Sequence, residues 1–141
     1  MTRAVLLSLK PRFAEAILDG SKTLELRRRF PILPKGTVFF LYATSPLRSL
    51  VGTATLVQTT PLPPHKINSP LLAKLRLEHA EALDYLKGTN VGTLLELQQP
   101  ERFWRPIELD SMRKQLGLEP MQSYRYLEDA TSNALKALGK Q

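Results

Sequence analysis

Apolar side chains in the first part of the chain recur with the spacings of short strands and one short helix. Residues 5–9 form an apolar run, which predicts a central strand. Between Pro11 and Gly20 the apolar positions follow helical spacing, which predicts an amphipathic helix with proline in its first turn. Leucines then alternate with Glu25 and Arg27, the period of a half-buried strand. We therefore expect both charged residues on one strand face and the leucines on the other.

The middle of the chain predicts two more strands and a longer helix. Residues 37–43 are rich in β-branched and aromatic side chains, as is typical of a strand. Residues 50–60 alternate loosely, and Gly52 within them indicates a bulge or a close approach of two backbones. Over residues 71–87, leucines and His79 share one helical stripe, which predicts a single helix covering one mouth of the sheet.

The last part predicts shorter elements. Residues 91–97 and 103–109 have the pattern of a strand pair separated by a turn at 99–102. Asp110 is placed to cap a small helix over residues 111–116. A last edge strand or ordered loop is expected at Tyr124-Arg125-Tyr126-Leu127.

These elements predict an α+β protein with five to six strands and two to three flanking helices. Strands of high sequence separation with few helices favour a small, mixed, curled sheet or partly closed barrel. A chain of 141 residues fits one domain. We assign residues 1–129 to that domain and residues 130–141 to a weakly helical or frayed C-terminal tail.

Composition narrows the class of protein. Hydrophobic content of 43% and charged content of 23% are ordinary for a globular chain, so disorder is not expected. The absence of cysteine excludes disulfides, thiol catalysis and thiolate metal sites, and fits a reducing compartment. The N-terminal apolar run is too short for a signal sequence or a membrane span. We expect a cytoplasmic protein that does not bind membranes.

The net charge of +7 lies entirely in the first half of the chain. Residues 1–70 contain ten lysines and arginines against three acids, whereas residues 71–141 contain ten of each sign. Such an asymmetry favours a polyanionic partner, with phosphate as the leading candidate. A basic surface that serves solubility alone is the alternative.

Several familiar motifs are missing. There is neither a glycine-rich phosphate loop nor a dinucleotide fingerprint, and His65 and His79 lack the spacing of a metal pair, so we expect no cofactor and no metal. His79 is interpreted as a core or capping histidine and His65 as solvated. Trp104 is a candidate for base stacking, but a lone tryptophan in an alternating strand favours core or rim packing.

What remains is a group of polar side chains at predicted strand ends: Lys10, Lys22, Glu25, Arg27, Tyr42, Thr44 and Ser45. A curled sheet would bring them around one concave opening. There the cations would hold phosphate, Tyr42 would stack on a base, and Glu25 would accept hydrogen bonds from an amine or a ribose hydroxyl. Lys22 and Glu25 also suit acid and base catalysis if burial tunes their pKa values. A simple surface ion pair is the third interpretation.

Four motifs together resemble the ASCH domain family, relatives of the PUA domains: Ser8-Leu9-Lys10-Pro11, Gly20-x-Lys22-x-x-Glu25-x-Arg27, Tyr42-Ala43-Thr44-Ser45-Pro46 with Val51-Gly52, and Gln122-Ser123-Tyr124-Arg125-Tyr126-Leu127. The resemblance implies a PUA-like β-barrel with a cleft that binds RNA or a nucleotide. It implies that Lys22, Glu25 and Arg27 line this cleft, with Lys10, Tyr42 and Ser45 nearby. Arg28 joins the residues expected to hold nucleic acid.

The resemblance leaves the activity open. Some members are amidohydrolases that deacetylate acetylcytidine with a lysine, a threonine and a glutamate. Lys22 matches the lysine of these enzymes, but Glu25 occupies the position of their threonine. Other members are ribonucleases, and Lys22 with Glu25 would suit acid–base cleavage of RNA. The leading hypothesis is an RNA-binding module with little or no turnover, whose partner is single-stranded nucleic acid or a nucleotide. The alternatives are a ribonuclease or nucleoside hydrolase using Lys22 and Glu25, and a protein-interaction scaffold.

Overall fold

A computed structural model describes residues 4–140 as six strands, five α-helices and one 3-10 turn. Residues 1–3 of the domain expected over residues 1–129, and Gln141 of the expected tail, lie outside the described part. In chain order the elements are β1 (Ala4–Leu9), α1 (Pro11–Leu18), β2 (Leu24–Arg27), β3 (Val38–Ala43), β4 (Ser49–Leu62), the 3-10 turn (Pro64–Lys66), α2 (Ser69–Leu75), α3 (His79–Tyr85), β5 (Gly92–Glu108), α4 (Leu109–Leu116), β6 (Tyr124–Leu127) and α5 (Asp129–Gly139).

The six strands form one curled sheet in the order β2-β5-β4-β3-β1-β6. Strands β1 and β3 run parallel, and every other neighbouring pair is antiparallel. This arrangement confirms the predicted α+β class and the curled, partly closed barrel. The structure has five helices where two to three were expected, because the helix predicted over residues 71–87 is two helices and the C-terminal segment forms a full helix.

Both faces of the sheet are covered, which explains why β1 and β3 are apolar on successive residues. One face packs in a cluster with α1, around Val5 and Ile17. The other face packs with α4 and α5, around Phe40 and Leu135. A third cluster lies between β2 and the α2–α3 pair, and it contains Leu24 and Leu26.

The single helix predicted over residues 71–87 was wrong, because the chain makes two short helices there. Arg76 adopts left-handed backbone angles after α2, with φ of 59°, and this ends the helix. Helix α3 then begins at His79, which is exposed, and Glu78 holds the cap position, so the expected core or capping histidine was wrong. His65 is exposed in the 3-10 turn, as predicted.

The predicted strand pair is in fact one long strand, β5. Gln99 has φ of 51°, and the register between β4 and β5 shifts by one residue at this point. Glutamine and proline thus mark a β-bulge and not a chain reversal. Gly52 lies opposite, where a Cβ atom would come 2.3 Å from the carbonyl oxygen of Glu101, so the predicted close approach of two backbones is confirmed.

A larger bulge in β5 places Trp104 in solvent. Leu50 pairs with Ile107 and Gly52 with Arg102, so four β5 residues lie opposite one residue of β4. The additional residues leave the ladder, and among them the Trp104 side chain turns outward. Trp104 is 84% exposed, so the expectation of core or rim packing was wrong.

The C-terminal segment packs more closely than the sequence pattern indicated. Helix α4 starts after Glu108, so Asp110 lies in its first turn and is not the cap. Strand β6 is the predicted edge strand. Within the segment expected to be a weak helix or frayed tail, α5 buries Leu135 and brings Gly139 against Phe103. Residues 129–139 therefore contribute to the core.

Candidate functional site: a cavity with a buried ionic cluster

A cavity of about 320 Å³ opens where the end of β1, strand β2 and helix α3 meet. Its size lies within the range of about 300–1,000 Å³ typical of small-molecule sites. The alternation predicted for β2 holds: Leu24 and Leu26 anchor the strand in the third apolar cluster, and Glu25 and Arg27 line the cavity. Lys22 also lines it, from the segment just before β2.

Lys22, Glu25 and Arg27 form a buried ionic cluster. Their residues are 2%, 6% and 8% exposed. Lys22 Nζ lies 3.2 Å from Glu25 Oε1, and Arg27 Nε donates to Glu25 Oε2 at 2.9 Å. One carboxylate therefore holds two cations, and the surplus charge of the cluster is positive. All three side chains are buried, so the cluster is not the simple surface ion pair that was one interpretation of the sequence.

The Lys22 ammonium is compensated on three sides. Besides Glu25, it donates to the carbonyl oxygen of Leu75 at 2.6 Å and lies 4.6 Å from the centre of the Phe13 ring. Burial lowers the pKa of Lys22 below its ordinary value, against the opposing attraction of Glu25. The ammonium is thus more acidic than a surface lysine.

Arg27 connects β2 to the far side of the sheet. Its Nη2 donates to the carbonyl oxygen of Ser8 at 2.8 Å, and its Nη1 lies 3.3 Å from the hydroxyl of Ser123. Ser8 lies next to the last residue of β1, and Ser123 directly precedes β6. Strand β2 is the opposite outer strand of the sheet. The guanidinium therefore joins the two outer strands at the cavity.

Helix α3 supplies the acidic wall of the cavity through Glu81 and Asp84, together with the half-exposed ring of Tyr85. Glu81 accepts a hydrogen bond from Arg12, which lowers the pKa of that carboxyl, and Lys10 adds a smaller attraction. Lys10 is exposed on the rim. The wall therefore alternates in sign, as suits a ligand with both polar and charged groups.

Comparison with known proteins gives the family. The chain is 31% identical, over 140 residues, to an ASCH domain-containing ribonuclease of Zymomonas mobilis, covering 99% of this chain and 94% of that protein. The chain belongs to the ASCH domain family. No family model matches the sequence.

Solved structures agree with this assignment. The crystal structure of an ASCH protein from Zymomonas mobilis has a TM-score of 0.89 at 31% identity, over 96% of this chain and 94% of that one. A Pseudomonas putida protein has a TM-score of 0.64 at 15% identity, covering 96% and 99% of the two chains. At that identity the second likeness shows the fold alone.

The ASCH domain brings together only part of the predicted site. Lys10, Lys22, Glu25 and Arg27 line the cavity. Tyr42 does not, because it is buried beside Met112 in the cluster under α4. Burial raises the pKa of the Tyr42 phenol, although Arg113 and Arg48 nearby oppose the shift.

The other predicted residues also lie away from the cavity wall. Ser45 is exposed and Thr44 half-buried in the turn between β3 and β4. Arg28 is exposed beside Gly88. Arg27 thus lines the cavity, whereas Arg28 lies on the outer surface.

Sequence reasoning missed Ser123, Phe13 and the α3 residues. Ser123 stands in the last of the four family motifs, so its position was flagged without its contact to Arg27. Phe13 has the helical spacing of a core residue, and its contact with Lys22 has no signal in the sequence.

Within residues 4–140, no helix has the length and apolarity needed to cross a membrane. In the same part of the chain, no group of three or more histidine or acidic side chains is arranged to hold a metal ion.

Proposed function

We propose that this ASCH domain binds single-stranded RNA and cleaves it, with one nucleotide seated in the cavity. The observation that carries the proposal is the buried ionic cluster in a cavity of nucleotide-compatible size, in a chain 31% identical to a protein named as a ribonuclease. The sequence alone favoured a binding module; the named activity of the relative favours cleavage.

The cavity offers partners for each part of a nucleotide. Tyr85 provides an aromatic ring at the entrance for a base, and Lys10 on the rim provides a cation for a phosphate. Two nitrogens of Arg27 lie within 2.9 Å of Glu25 Oε2, whereas in the described part of the chain Oε1 contacts only Lys22 Nζ. A carboxylate oxygen has two lone pairs, so Oε1 can accept a further hydrogen bond from a ribose hydroxyl.

RNA can be cleaved by attack of the ribose 2′-oxygen on the adjacent phosphorus, with release of the 5′-oxygen of the next nucleotide. In our proposal Glu25 takes the proton of the attacking 2′-hydroxyl, and Lys22 and Arg27 stabilise the negative charge that develops on the phosphate oxygens. The lowered pKa of Lys22 suits it to donate a proton to the departing 5′-oxygen.

Ser8 lines the cavity and lies between Tyr42 and Ser123 across three neighbouring strands, so a change at either residue can reach the cavity through Ser8. Ser8 is in register with Tyr42, and its amide donates to the Ser123 carbonyl at 3.0 Å. Solved structures of the Zymomonas protein include one serine-to-alanine and one tyrosine-to-phenylalanine variant, at positions as far apart as Ser123 and Tyr42 are here. Tyr42→Phe and Ser123→Ala therefore belong in any activity series.

The test is cleavage of a short RNA by wild type, Glu25→Gln and Lys10→Ala, with Lys35→Ala as the control for loss of an exposed lysine outside the cavity. We expect Glu25→Gln to abolish most turnover, Lys10→Ala to weaken binding, and Lys35→Ala to behave as wild type. DNA of the same sequence should stay intact, because it lacks the 2′-hydroxyl. Wild type that binds RNA but leaves it uncut would limit the function to binding, and turnover of acetylcytidine instead would indicate the amidohydrolase.

A further inference from the structure

A second hollow, of about 510 Å³, lies beside the exposed ring of Trp104. We define the tryptophan patch as Trp104 with Lys136 and Lys140, which line this hollow from β5 and from the end of α5. Neither the cavity nor the buried ionic cluster includes these residues. The patch therefore has no role in the proposed reaction itself.

The fold holds Trp104 outward by anchoring its neighbour. The Phe103 ring packs 6.3 Å from the Phe40 ring, measured between centres, and a Cβ atom on Gly139 would come within 2.6 Å of it. Phe103 is therefore fixed in the core by its contacts with β3 and α5. Because neighbouring residues in extended chain point to opposite sides, Trp104 must project into solvent at the bulge.

The charges of the patch are uncompensated. Lys136 and Lys140 are one helical turn apart, and both are exposed. Among residues 4–140 neither has a carboxylate within ion-pair distance, whereas the Arg102 charge beside them is taken by Glu15. Glu101 is the one carboxylate among the described residues that line the hollow. An exposed aromatic face flanked by two available cations has the chemistry that single-stranded nucleic acid recognises.

Helix α1 connects the patch to the cavity. Arg102, in the wall of the hollow, makes two hydrogen bonds of 2.9 and 2.7 Å to Glu15 of α1. Phe13 of the same helix lines the cavity. Helix α1 has eight residues and is about 12 Å long, a distance that a few nucleotides of a single strand can cover.

We propose that the tryptophan patch is a second contact site for single-stranded RNA, where Trp104 stacks on a base and the two lysines contact phosphates of the same strand that occupies the cavity. The inference rests on the proposed function. Stacking on an indole ring tolerates any base, so this site adds affinity for longer strands without reading sequence.

Trp104 is the only tryptophan in the chain, so its fluorescence reports on this site alone. The probe is an oligouridylate of about twelve nucleotides with 2′-O-methyl groups, which cannot be cleaved by attack of the 2′-oxygen and matches the length of known single-strand sites. We expect the fluorescence to be quenched as the labelled probe saturates in an anisotropy titration. Saturation with unchanged fluorescence would overturn the proposal.

The matched variants separate stacking from charge. Trp104→Ala should weaken binding of the probe about 5- to 100-fold, and Ile32→Ala, which removes another exposed apolar side chain, should not. The double variant Lys136→Gln, Lys140→Gln should reduce the slope of log K against log salt concentration by about 1.4, because two phosphate contacts are lost. In the control variant Lys35→Gln, Lys66→Gln, the part of this slope that depends on Lys136 and Lys140 should remain. A Trp104→Ala protein with affinity within twofold of wild type contradicts the proposal.

A 2′-O-methyl dinucleotide distinguishes this inference from the proposed function. It is long enough for the cavity but not for both sites, so wild type and Trp104→Ala should bind it equally. If the dinucleotide does not bind but the longer probe still quenches Trp104, the cavity assignment fails and the patch stands. If Trp104→Ala instead changes the sedimentation coefficient and not RNA affinity, the patch is an interface between copies of the chain, and the proposal is overturned.

Discussion

The buried ionic cluster and the tryptophan patch use the same types of charge in opposite ways. In the cluster, Lys22 and Arg27 are fixed by one carboxylate and by backbone carbonyls, at the cost of desolvation. In the patch, Lys136 and Lys140 remain exposed to solvent. The buried ionic cluster therefore holds its charged groups in place before a ligand binds, whereas the tryptophan patch attracts a ligand without fixed geometry. The comparison predicts large effects on stability from the cluster and small ones from the patch.

The largest effect is expected for Glu25→Ala. It leaves two cations buried without a partner, and breaking a buried pair in this way costs about 3–5 kcal/mol of unfolding free energy. Urea unfolding measures the change. Glu15→Ala is the matched control, because it breaks an exposed arginine pair expected to contribute only about 0–1 kcal/mol. Similar losses for both variants would remove the distinction between the two regions.

Lys22→Met should cost less. The methionine fills similar space beside Phe13 but leaves the Leu75 carbonyl without its donor, a penalty of about 1–3 kcal/mol. Glu25 keeps Arg27, so no buried charge is left unpaired. The same urea titration reports the difference, and a loss as large as that of Glu25→Ala would show that the carboxylate depends on both cations.

The pH dependence of stability sharpens this result. Since the pKa of Lys22 is lower in the folded chain than its ordinary value of 10.5, the unfolded state binds more protons between the two values. The contribution of Lys22 to the unfolding free energy therefore rises with pH in that window, by at most about 1.4 kcal/mol per pH unit, and is constant below the folded pKa. Subtracting the Lys22→Met profile isolates this slope. A difference profile that is flat below pH 10.5 would contradict the lowered pKa.

The smallest effect is expected for Trp104→Ala. An 84% exposed side chain outside the core contributes little to folding, so the unfolding free energy should stay within about 0.5 kcal/mol of wild type. Thermal unfolding of the two proteins checks it. A clear loss of stability would place Trp104 in the packing of the bulge and weaken its assignment as a ligand contact.

Sequence patterns were sufficient where the determining interactions are local. The alternation in β2 places Glu25 and Arg27 on one face because strand side chains have a period of two. The helix between Pro11 and Gly20 likewise follows from its own residues. The resemblance to the ASCH family predicted how these segments are arranged in one barrel-like sheet, and the observed sheet has that form.

Sequence patterns failed where a distant segment decides the structure. The Arg27–Ser123 contact joins residues 96 positions apart, and no local period encodes it. Trp104 is exposed because β5 carries more residues than the β4 segment it pairs with, which is a property of two strands and not of one. Tyr42 has the composition of a site residue, but its neighbours under α4 bury it.

Arg27 bridges the two outer edges of the partly closed barrel. Backbone pairing runs from β2 to β6 and stops there, and the guanidinium bridges the remaining gap by its bonds to Ser8 and Ser123. The two outer strands are therefore joined at this point by a side chain and not by backbone hydrogen bonds. A phosphate that accepts hydrogen bonds from the same Arg27 N–H groups must replace Ser8 or Ser123 as their acceptor. Ligand binding and closure of the barrel therefore compete for the same donors.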